Sequence, residues 1–272
     1  LIYLGVFLAI IIIFNVKIIK ENGFKTRFEH LKKINQNYNP DNIFLGKTRM
    51  NNSQVDLNNF NIKDFNIIIM GDSHGEDLFN SLNLNLDLLN GIKFYYIDDL
   101  LGDIAFDEID DKSNNKIFLK QANAIIISYR WDEYRFKILK DNIKKIKNLN
   151  DKIFITSSTN EYKVFNKLFT LLDYEILFKK KDIDYFGLKK LYFENRVISS
   201  NSIINQKLKN FTFENNLTYL NKEDYMCELT NKECDYLDKD GHKIFFDYGH
   251  YTEYGARHFG KKIYEINWLK IN

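Results

Sequence analysis

The fold is decided by the stretch FNIIIMGDSHG, residues 65–75. Its apolar first half is typical of a buried strand, which stops abruptly at Gly71, where a segment of helical character follows. Ser73 is thereby placed on a tight turn at the carboxyl end of a strand, where open α/β sheets bind their ligands. A helix starting near Gly75 would aim its N-terminal amides at the same point. On its own the Gly-Asp-Ser triplet is a weak signal, because a serine there is more often a helix N-cap.

Four more segments share the short, apolar and non-alternating character of residues 65–70, namely 93–97, 124–128, 152–156 and 217–220. Strands of this kind are typical of a parallel sheet covered on both faces. Helical segments lie between and after them, at 132–149, 188–209 and 252–266. The alternation predicts a three-layer α/β/α domain over residues 65–272, with a doubly wound, flavodoxin-like parallel sheet.

The first 64 residues have a different character. Residues 1–14 are almost uninterruptedly apolar, slightly short of the roughly 20 residues that a full membrane span needs. We interpret residues 1–20 as a transmembrane helix, the last of a longer membrane domain; the alternative is a buried core helix. Residues 21–64 are polar and rich in asparagine, which indicates a connecting segment, with room for one helix around residues 28–34.

Composition restricts the partners of the domain. The 272 residues are 44% hydrophobic, enough for a sizeable core, and the net charge is only +2. The chain has no basic stripe interleaved with aromatic residues, which argues against nucleic acid as a partner. Lys17, Lys20, Lys25 and Arg27 follow the apolar segment and would favour a cytoplasmic location for what comes next. We discount that signal, because lysine is abundant throughout the chain.

The two cysteines, Cys227 and Cys234, lie close together in a loop-like region. A disulfide between them is sensible if the domain lies outside the cytoplasm. Two reduced thiols and half of a zinc site are the alternatives. A zinc site ranks last, because it needs two more ligands and only His242 is near in sequence.

A second polar motif, Asp247-x-x-His250, stands between the apolar residues 244–246 and the last helical segment. A serine hydroxyl is a poor nucleophile until a base takes its proton, and that base needs a carboxylate to hold its tautomer. Ser73, His250 and Asp247 together supply these groups. We expect the motif to lie at the last strand-to-helix turn and to meet Ser73 across the sheet edge. The simpler alternative is that Asp247 caps the last helix and His250 lies on the surface.

The two end motifs resemble those of the SGNH (GDSL-like) hydrolase superfamily. More narrowly, the chain is similar to the SGNH domain at the C-terminus of bacterial membrane acyltransferase-3 proteins, which are sugar O-acetyltransferases. The segments that carry this narrower resemblance are Gly-Asp-Ser-His at 71–74, the junction at 22–28, the strand–Arg–Trp element at 124–131, the two cysteines, and DYGHYTEYGA at 247–256.

The resemblance implies a role for individual residues. Ser73 would be the nucleophile, His250 the general base and Asp247 its orienting carboxylate, and the backbone N–H of Ser73 would donate to the oxyanion. The other oxyanion donors of the superfamily have no clean match. The candidates for this role or for lining the substrate site are Gly71, Asp72, His74, Arg130, Trp131 and Asn160, although Trp131 suits core packing equally well.

The resemblance also implies a reaction and a location. The membrane acyltransferase-3 part would deliver an acetyl group from cytoplasmic acetyl-CoA. The SGNH domain, itself without a cofactor or metal, would accept it on Ser73 and pass it to a hydroxyl of a cell-surface glycan, such as lipopolysaccharide O-antigen or peptidoglycan. The domain would then lie on the periplasmic face of a bacterial inner membrane.

Three other functions stay open at this point. A carbohydrate or lipid esterase would use the same triad with water as the acceptor. A metallophosphoesterase-like site would use Asp72, His74, His250 and His258 as ligands. A non-catalytic glycan-binding module would keep the triad only as a vestige.

Overall fold

The computed structural model describes residues 11–13, 15–16, 60–89, 91–98, 114–162, 170–175, 185–196 and 198–270. The predicted transmembrane helix at 1–20, the connecting segment at 21–64 and its helix around 28–34 therefore lie almost wholly outside the described residues. Within the described part of the chain, no helix is both long enough and apolar enough to cross a membrane.

The centre of the domain is a parallel sheet of five strands in the order β2-β1-β3-β4-β5. Its strands are β1 (Phe65–Gly71), β2 (Ile92–Asp98), β3 (Ala124–Ser128), β4 (Ile153–Thr156) and β5 (Thr218–Leu220). All five predicted strands are confirmed within a residue or so at each end. The strand order reverses at β1, which lies between β2 and β3, so a ligand crevice is expected at the carboxyl end of β1.

Eight helices are described around the sheet. They are α1 (Ser73–Asn83), α2 (Asn114–Gln121), α3 (Glu133–Leu149), α4 (Leu171–Tyr174), α5 (Tyr185–Glu194), α6 (Ile198–Glu214), α7 (Glu223–Met226) and α8 (Glu253–Glu265). Helices α3 and α8 begin one residue after Asp132 and Thr252, whose side chains cap them by accepting backbone N–H bonds.

Side chains of β1 alternate between two hydrophobic cores. Ile67 and Ile69 pack on one face with apolar residues of α1, α5 and α8. Ile68 and Met70 pack on the other with apolar residues of α2, α3 and α6. Both faces of the sheet are therefore covered by helices, and the predicted three-layer architecture is confirmed.

The prediction of a single helix at 188–209 is wrong, because the structure has two helices there, α5 and α6. Between them Arg196 makes a bridge with Tyr162 and an ion pair with Glu223, at 2.7 Å between Nη1 and Oε1. These long-range contacts pull the backbone out of helical geometry at a point where the sequence contains neither glycine nor proline.

A second correction concerns residues 244–246, which do not form a strand of the parallel sheet. They lie in an irregular segment held by isolated bridges, Leu237 with Lys243 and Phe245 with Tyr251. The motif that contains His250 therefore follows a folded-back loop and not a strand of the sheet. It still precedes the last helix, as predicted.

The two cysteines are joined in a disulfide, as predicted for an extracytoplasmic domain. They face each other across a small antiparallel hairpin of β6 (Cys227–Glu228) and β7 (Glu233–Cys234). Both cysteines are buried in the same core as α1 and α8. The disulfide thus links the two strands of the hairpin, and its burial packs the hairpin against the core of the domain.

Candidate active site

Three side chains from two motifs that lie far apart in sequence form a hydrogen-bonded chain at the carboxyl end of β1. Ser73 Oγ lies 3.0 Å from His250 Nε2, and His250 Nδ1 lies 2.8 Å from Asp247 Oδ2. The His250 and Asp247 side chains are only 12% and 15% exposed. A hydrogen-bonded pair shielded in this way is weakened less by water than a pair at the surface.

The loop that carries His250 also holds its carboxylate partner in place. Asp247 Oδ1 accepts the backbone N–H groups of Gly249 at 3.0 Å and of His250 at 2.9 Å. Burial alone would raise the pKa of Asp247, but the hydrogen bonds from His250 and these amides outweigh it and lower that pKa. Asp247 is therefore a carboxylate at neutral pH, and the alternative that it caps the last helix is wrong, since Thr252 does so.

The ionised carboxylate decides the tautomer of His250. A carboxylate can only accept, so the proton of the neutral ring is assigned to Nδ1, which faces Asp247. The lone pair of Nε2 then points to Ser73 Oγ. This is the arrangement in which a histidine can take the proton of a serine hydroxyl.

The turn that presents Ser73 is possible only because two glycines approach the end of β3. A Cβ added to Gly71 would lie 2.1 Å from the Ser128 carbonyl oxygen, and one added to Gly75 would lie 2.5 Å from the same atom. Either side chain would push the turn away from β3. Gly71 is thus a packing requirement of the turn rather than a substrate-lining residue.

The carboxylate of Asp72 holds two loops together. It caps α1 by accepting the N–H of His74 at 3.0 Å, and it accepts the N–H of Arg130 at 3.1 Å. The guanidinium of Arg135 approaches it to 3.5 Å. Its acceptor capacity is used within the protein, so it locks the turn after β1 to the turn after β3.

Tyr96, which the sequence did not single out, donates hydrogen bonds to the turn that presents Ser73. Its hydroxyl lies 2.9 Å from the carbonyl oxygen of Gly71 and 3.0 Å from that of Asp72. It also lies 3.1 Å from Asp98 Oδ1. Burial, followed by the charge of Asp98, raises the pKa of Tyr96, so the phenol stays protonated and can donate.

Lys222 is a second group that sequence inspection missed. It is 1% exposed, and its ammonium donates to Thr159 Oγ1 at 2.9 Å and approaches the His74 carbonyl oxygen at 3.4 Å. Burial lowers its pKa to about 8, against the opposing charges of Asp72 and Asp77. A buried lysine thus ties the start of α1 to the loop after β4, and no local pattern marks it in the sequence.

Of the other predicted lining residues, Arg130 lies at the rim and Trp131 in the core. Arg130 forms a bidentate pair with Glu161, at 2.6 and 2.8 Å, and lies over the ring of Tyr248. Trp131 is 4% exposed and donates from Nε1 to the Thr156 carbonyl at 2.8 Å. The packing interpretation of Trp131 is therefore favoured over the lining one.

Asn160 lies in the segment after β4, as expected, but its amide is engaged elsewhere. Nδ2 lies 3.3 Å from Cys227 Sγ of the disulfide. To act as an oxyanion donor, the amide would have to leave this sulfur. The backbone of Asn160 nevertheless borders the site, because a Cβ added to Gly249 would lie 3.4 Å from its carbonyl oxygen.

The ligands suggested for a metal site do not come together as a set. Within the described ranges, the groups whose ligand atoms lie close enough for a metal are His74 with Asp77 and His250, and Asp238 with Asp240 and His242. His258, one of the suggested ligands, is instead paired with Asp235 at 2.9 Å. A metal on His250 would also displace Ser73 or Asp247, because both ring nitrogens are engaged.

The sheet order and the serine–histidine–aspartate chain at its switch point define an SGNH-type domain. Residues 47–265 match the family model described as the SGNH domain fused to AT3 domains. The chain belongs to this family. No curated protein matches it in sequence.

Solved structures with a similar fold were also found. The periplasmic domain of the lipopolysaccharide acetyltransferase of Salmonella ser. Paratyphi A superposes with a TM-score of 0.54 at 21% identity, covering 75% of this chain and 84% of that one. A Bacteroides fragilis NCTC 9343 protein, proposed to be an acylhydrolase, is more distant, with a TM-score of 0.43 at 14% identity over 88% of this chain and 97% of that one. The first likeness shows a shared fold.

Proposed function

We propose that this domain is a serine O-acyltransferase that carries an acetyl group on Ser73 and passes it to a hydroxyl of a cell-surface glycan. The observation that carries the proposal is the continuous chain of hydrogen bonds from Ser73 Oγ through His250 to Asp247. It stands at the carboxyl end of β1, where a doubly wound sheet binds its ligand.

In the first half of the reaction, His250 Nε2 takes the hydroxyl proton of Ser73 while Oγ attacks the acetyl carbonyl. The negative charge that develops on the carbonyl oxygen faces the N-terminus of α1, where the Ser73 backbone amide is the proposed donor. The bond between the carbonyl carbon and the leaving atom of the donor then breaks, and that atom takes the proton from His250. Acetyl-Ser73 and the free donor group result.

The second half runs in the opposite sense. His250 Nε2 takes a proton from a sugar hydroxyl, whose oxygen attacks the acetyl-Ser73 carbonyl. The bond to Ser73 Oγ breaks, and the protonated His250 returns its proton to Ser73. Asp247 stays ionised throughout and stabilises the transient imidazolium.

The family of the chain supports a membrane partner. SGNH domains of this family are fused to AT3 domains, so the acetyl group would be drawn from cytoplasmic acetyl-CoA by an acyltransferase-3 domain. The SGNH domain itself would need no cofactor. The buried disulfide suits a periplasmic location on the bacterial inner membrane.

Hydrolysis is the alternative outcome of the same chemistry. If water reaches acetyl-Ser73 before a sugar does, the domain is an esterase. The two functions share every group in the triad and differ only in the acceptor. The ratio of acetylated sugar to free acetate, measured with acetyl-Ser73 and a sugar acceptor, separates them.

Labelling with a fluorophosphonate tests the activated serine. The purified 272-residue chain should form a covalent adduct that maps to Ser73, and His250→Ala should lose it. His258→Ala is the matched control, because His258 is also a half-buried histidine paired with an aspartate, but its Nε2 is bonded to Asp235 and not to Ser73. Labelling that depends equally on both histidines and disappears with a chelator would contradict the proposal and favour the metal-dependent alternative.

A further inference from the structure

A polar cavity of about 480 Å³ lies at the carboxyl ends of β4 and β5. Asn160 follows β4 and Asn221 follows β5, and both line it. Its size falls within the roughly 300–1,000 Å³ of small-molecule sites. Neither the triad nor its supporting groups uses this space.

One wall of the cavity is a stripe of polar side chains on α6. Ser202, Asn205, Gln206 and Lys209 line it, at the spacing i, i+3, i+4 and i+7 that places residues on one helix face. On the opposite face of α6, Ile204 and Leu208 are buried in the core. The polar stripe is therefore a separate surface of the helix, and its solvent-exposed residues Ser202, Gln206 and Lys209 border a concave space.

The charges around the cavity cancel. Two cations, Arg196 and Lys209, and two anions, Glu223 and Asp224, line it. Arg196 and Glu223 are paired at 2.7 Å, so neither offers a net charge to a ligand. The remaining lining consists of amides, a hydroxyl and Tyr219. Such a lining suits a neutral ligand with many hydroxyl groups, and it does not favour an anion.

The cavity and the triad share a single wall. Asn160 lines the cavity, while its carbonyl oxygen packs against Gly249, next to His250. Two residues further on, the N–H of Tyr162 donates to the Tyr248 carbonyl at 2.9 Å. One segment of chain therefore separates the cavity from the loop that carries the general base.

We infer that this cavity binds a neutral sugar unit of the acceptor glycan, next to the unit whose hydroxyl attacks acetyl-Ser73. The inference rests on the proposed transferase function and names the part of the acceptor that it recognises. A sugar bound there would keep the attacking hydroxyl next to His250, so that this hydroxyl would react with acetyl-Ser73 more often than water would. The cavity thus favours transfer over hydrolysis.

The test fills the cavity without touching the triad. Gln206→Trp places an indole on the polar stripe at an exposed helix position. Ile203→Trp is the matched control, because Ile203 is 59% exposed on the same helix and does not line the cavity. Each chain is acetylated with p-nitrophenyl acetate, and loss of acetyl from Ser73 is followed by mass spectrometry with maltotetraose, chitotetraose or tetragalacturonate.

At least one neutral tetrasaccharide should accelerate deacetylation in a saturable way and appear as its acetyl ester. Gln206→Trp should raise the half-saturating sugar concentration about tenfold or more, with deacetylation by water unchanged, and Ile203→Trp should change neither. Acceleration by tetragalacturonate alone, by no sugar, or to the same degree in Gln206→Trp would overturn the inference. A parent chain that never forms acetyl-Ser73 would instead contradict the proposed function itself.

Discussion

The imidazole of His74 lies stacked on that of His250, with ring centroids 4.7 Å apart and an angle of 26° between the planes. His74 is 1% exposed, whereas His250 reaches the site. The residue that follows the proposed nucleophile in sequence thus packs against the proposed base. This contact couples the two motifs, which lie 177 residues apart as measured from Ser73 to His250.

His74 is therefore expected to be a positioning residue. His74→Ala should slow fluorophosphonate labelling of Ser73 by roughly tenfold to a hundredfold, because misplacing the base by about 1 Å costs that much. His74→Phe keeps a ring against His250 and should recover most of the rate. Circular dichroism establishes that both variants are folded, and equal labelling rates in His74→Ala and the parent would refute the positioning role.

The triad predicts that loss of any one of its members nearly abolishes acyl chemistry. Ser73→Ala and His250→Ala should each lower the rate of p-nitrophenyl acetate turnover by about 10³-fold or more, and Asp247→Asn by roughly 10³–10⁴-fold. Asp247→Asn leaves the site filled but no longer holds the proton on Nδ1. The double variant Ser73→Ala/His250→Ala should be no slower than either single variant. Additive losses would show that the two residues do not act as a unit.

Lys222 predicts a specific dependence of stability on pH. Its pKa falls from 10.5 to about 8 on folding, so between these values the unfolded chain binds more protons than the folded one, and stability rises with pH. Below pH 8 the buried charge costs the full penalty, about 3 kcal/mol. The difference in unfolding free energy between the parent and Lys222→Met should therefore shift in favour of the parent by most of this amount from pH 7 to pH 10. A difference that is constant with pH would contradict the assignment.

The disulfide predicts a loss of stability on its removal. It closes a loop with a sequence separation of 7, for which the chain-entropy model gives about 2–3 kcal/mol. The unfolding free energy of the double variant Cys227→Ala/Cys234→Ala, measured by urea titration, should be lower by at least this amount, since buried sulfur is lost as well. Dithiothreitol should destabilise the parent but leave the double variant unchanged. The absence of a dithiothreitol effect on the parent would show that the bond does not contribute.

Much of the fold follows from local sequence patterns. Buried strands such as Ala124–Ser128 are short apolar runs between turn residues, so their positions and their parallel arrangement could be predicted. The break between α5 and α6 could not, because Arg196 leaves the helix to meet Tyr162 and Glu223, which lie far away in sequence.

The site divides in the same way. The residues of the end motifs, Ser73, Asp247 and His250, could be proposed from the sequence because their spacing is local and characteristic. The groups that support them could not. Tyr96 resembles any buried strand residue and Lys222 any surface lysine, and only the tertiary structure brings them beneath the turn. Asn160 lies in the segment after β4, as the sequence suggests, yet its amide is bonded to the disulfide.

The proposed transfer depends on one covalent species, acetyl-Ser73, and its detection is the decisive experiment. The chain is mixed with p-nitrophenyl acetate, quenched in acid within the first turnover, and mapped by peptide mass spectrometry. One acetyl group is expected on the peptide that contains Ser73, absent in Ser73→Ala and in His250→Ala and present in His258→Ala. Acetate release by the parent with no acetyl group on Ser73, or undiminished release by Ser73→Ala, would contradict the proposed transfer.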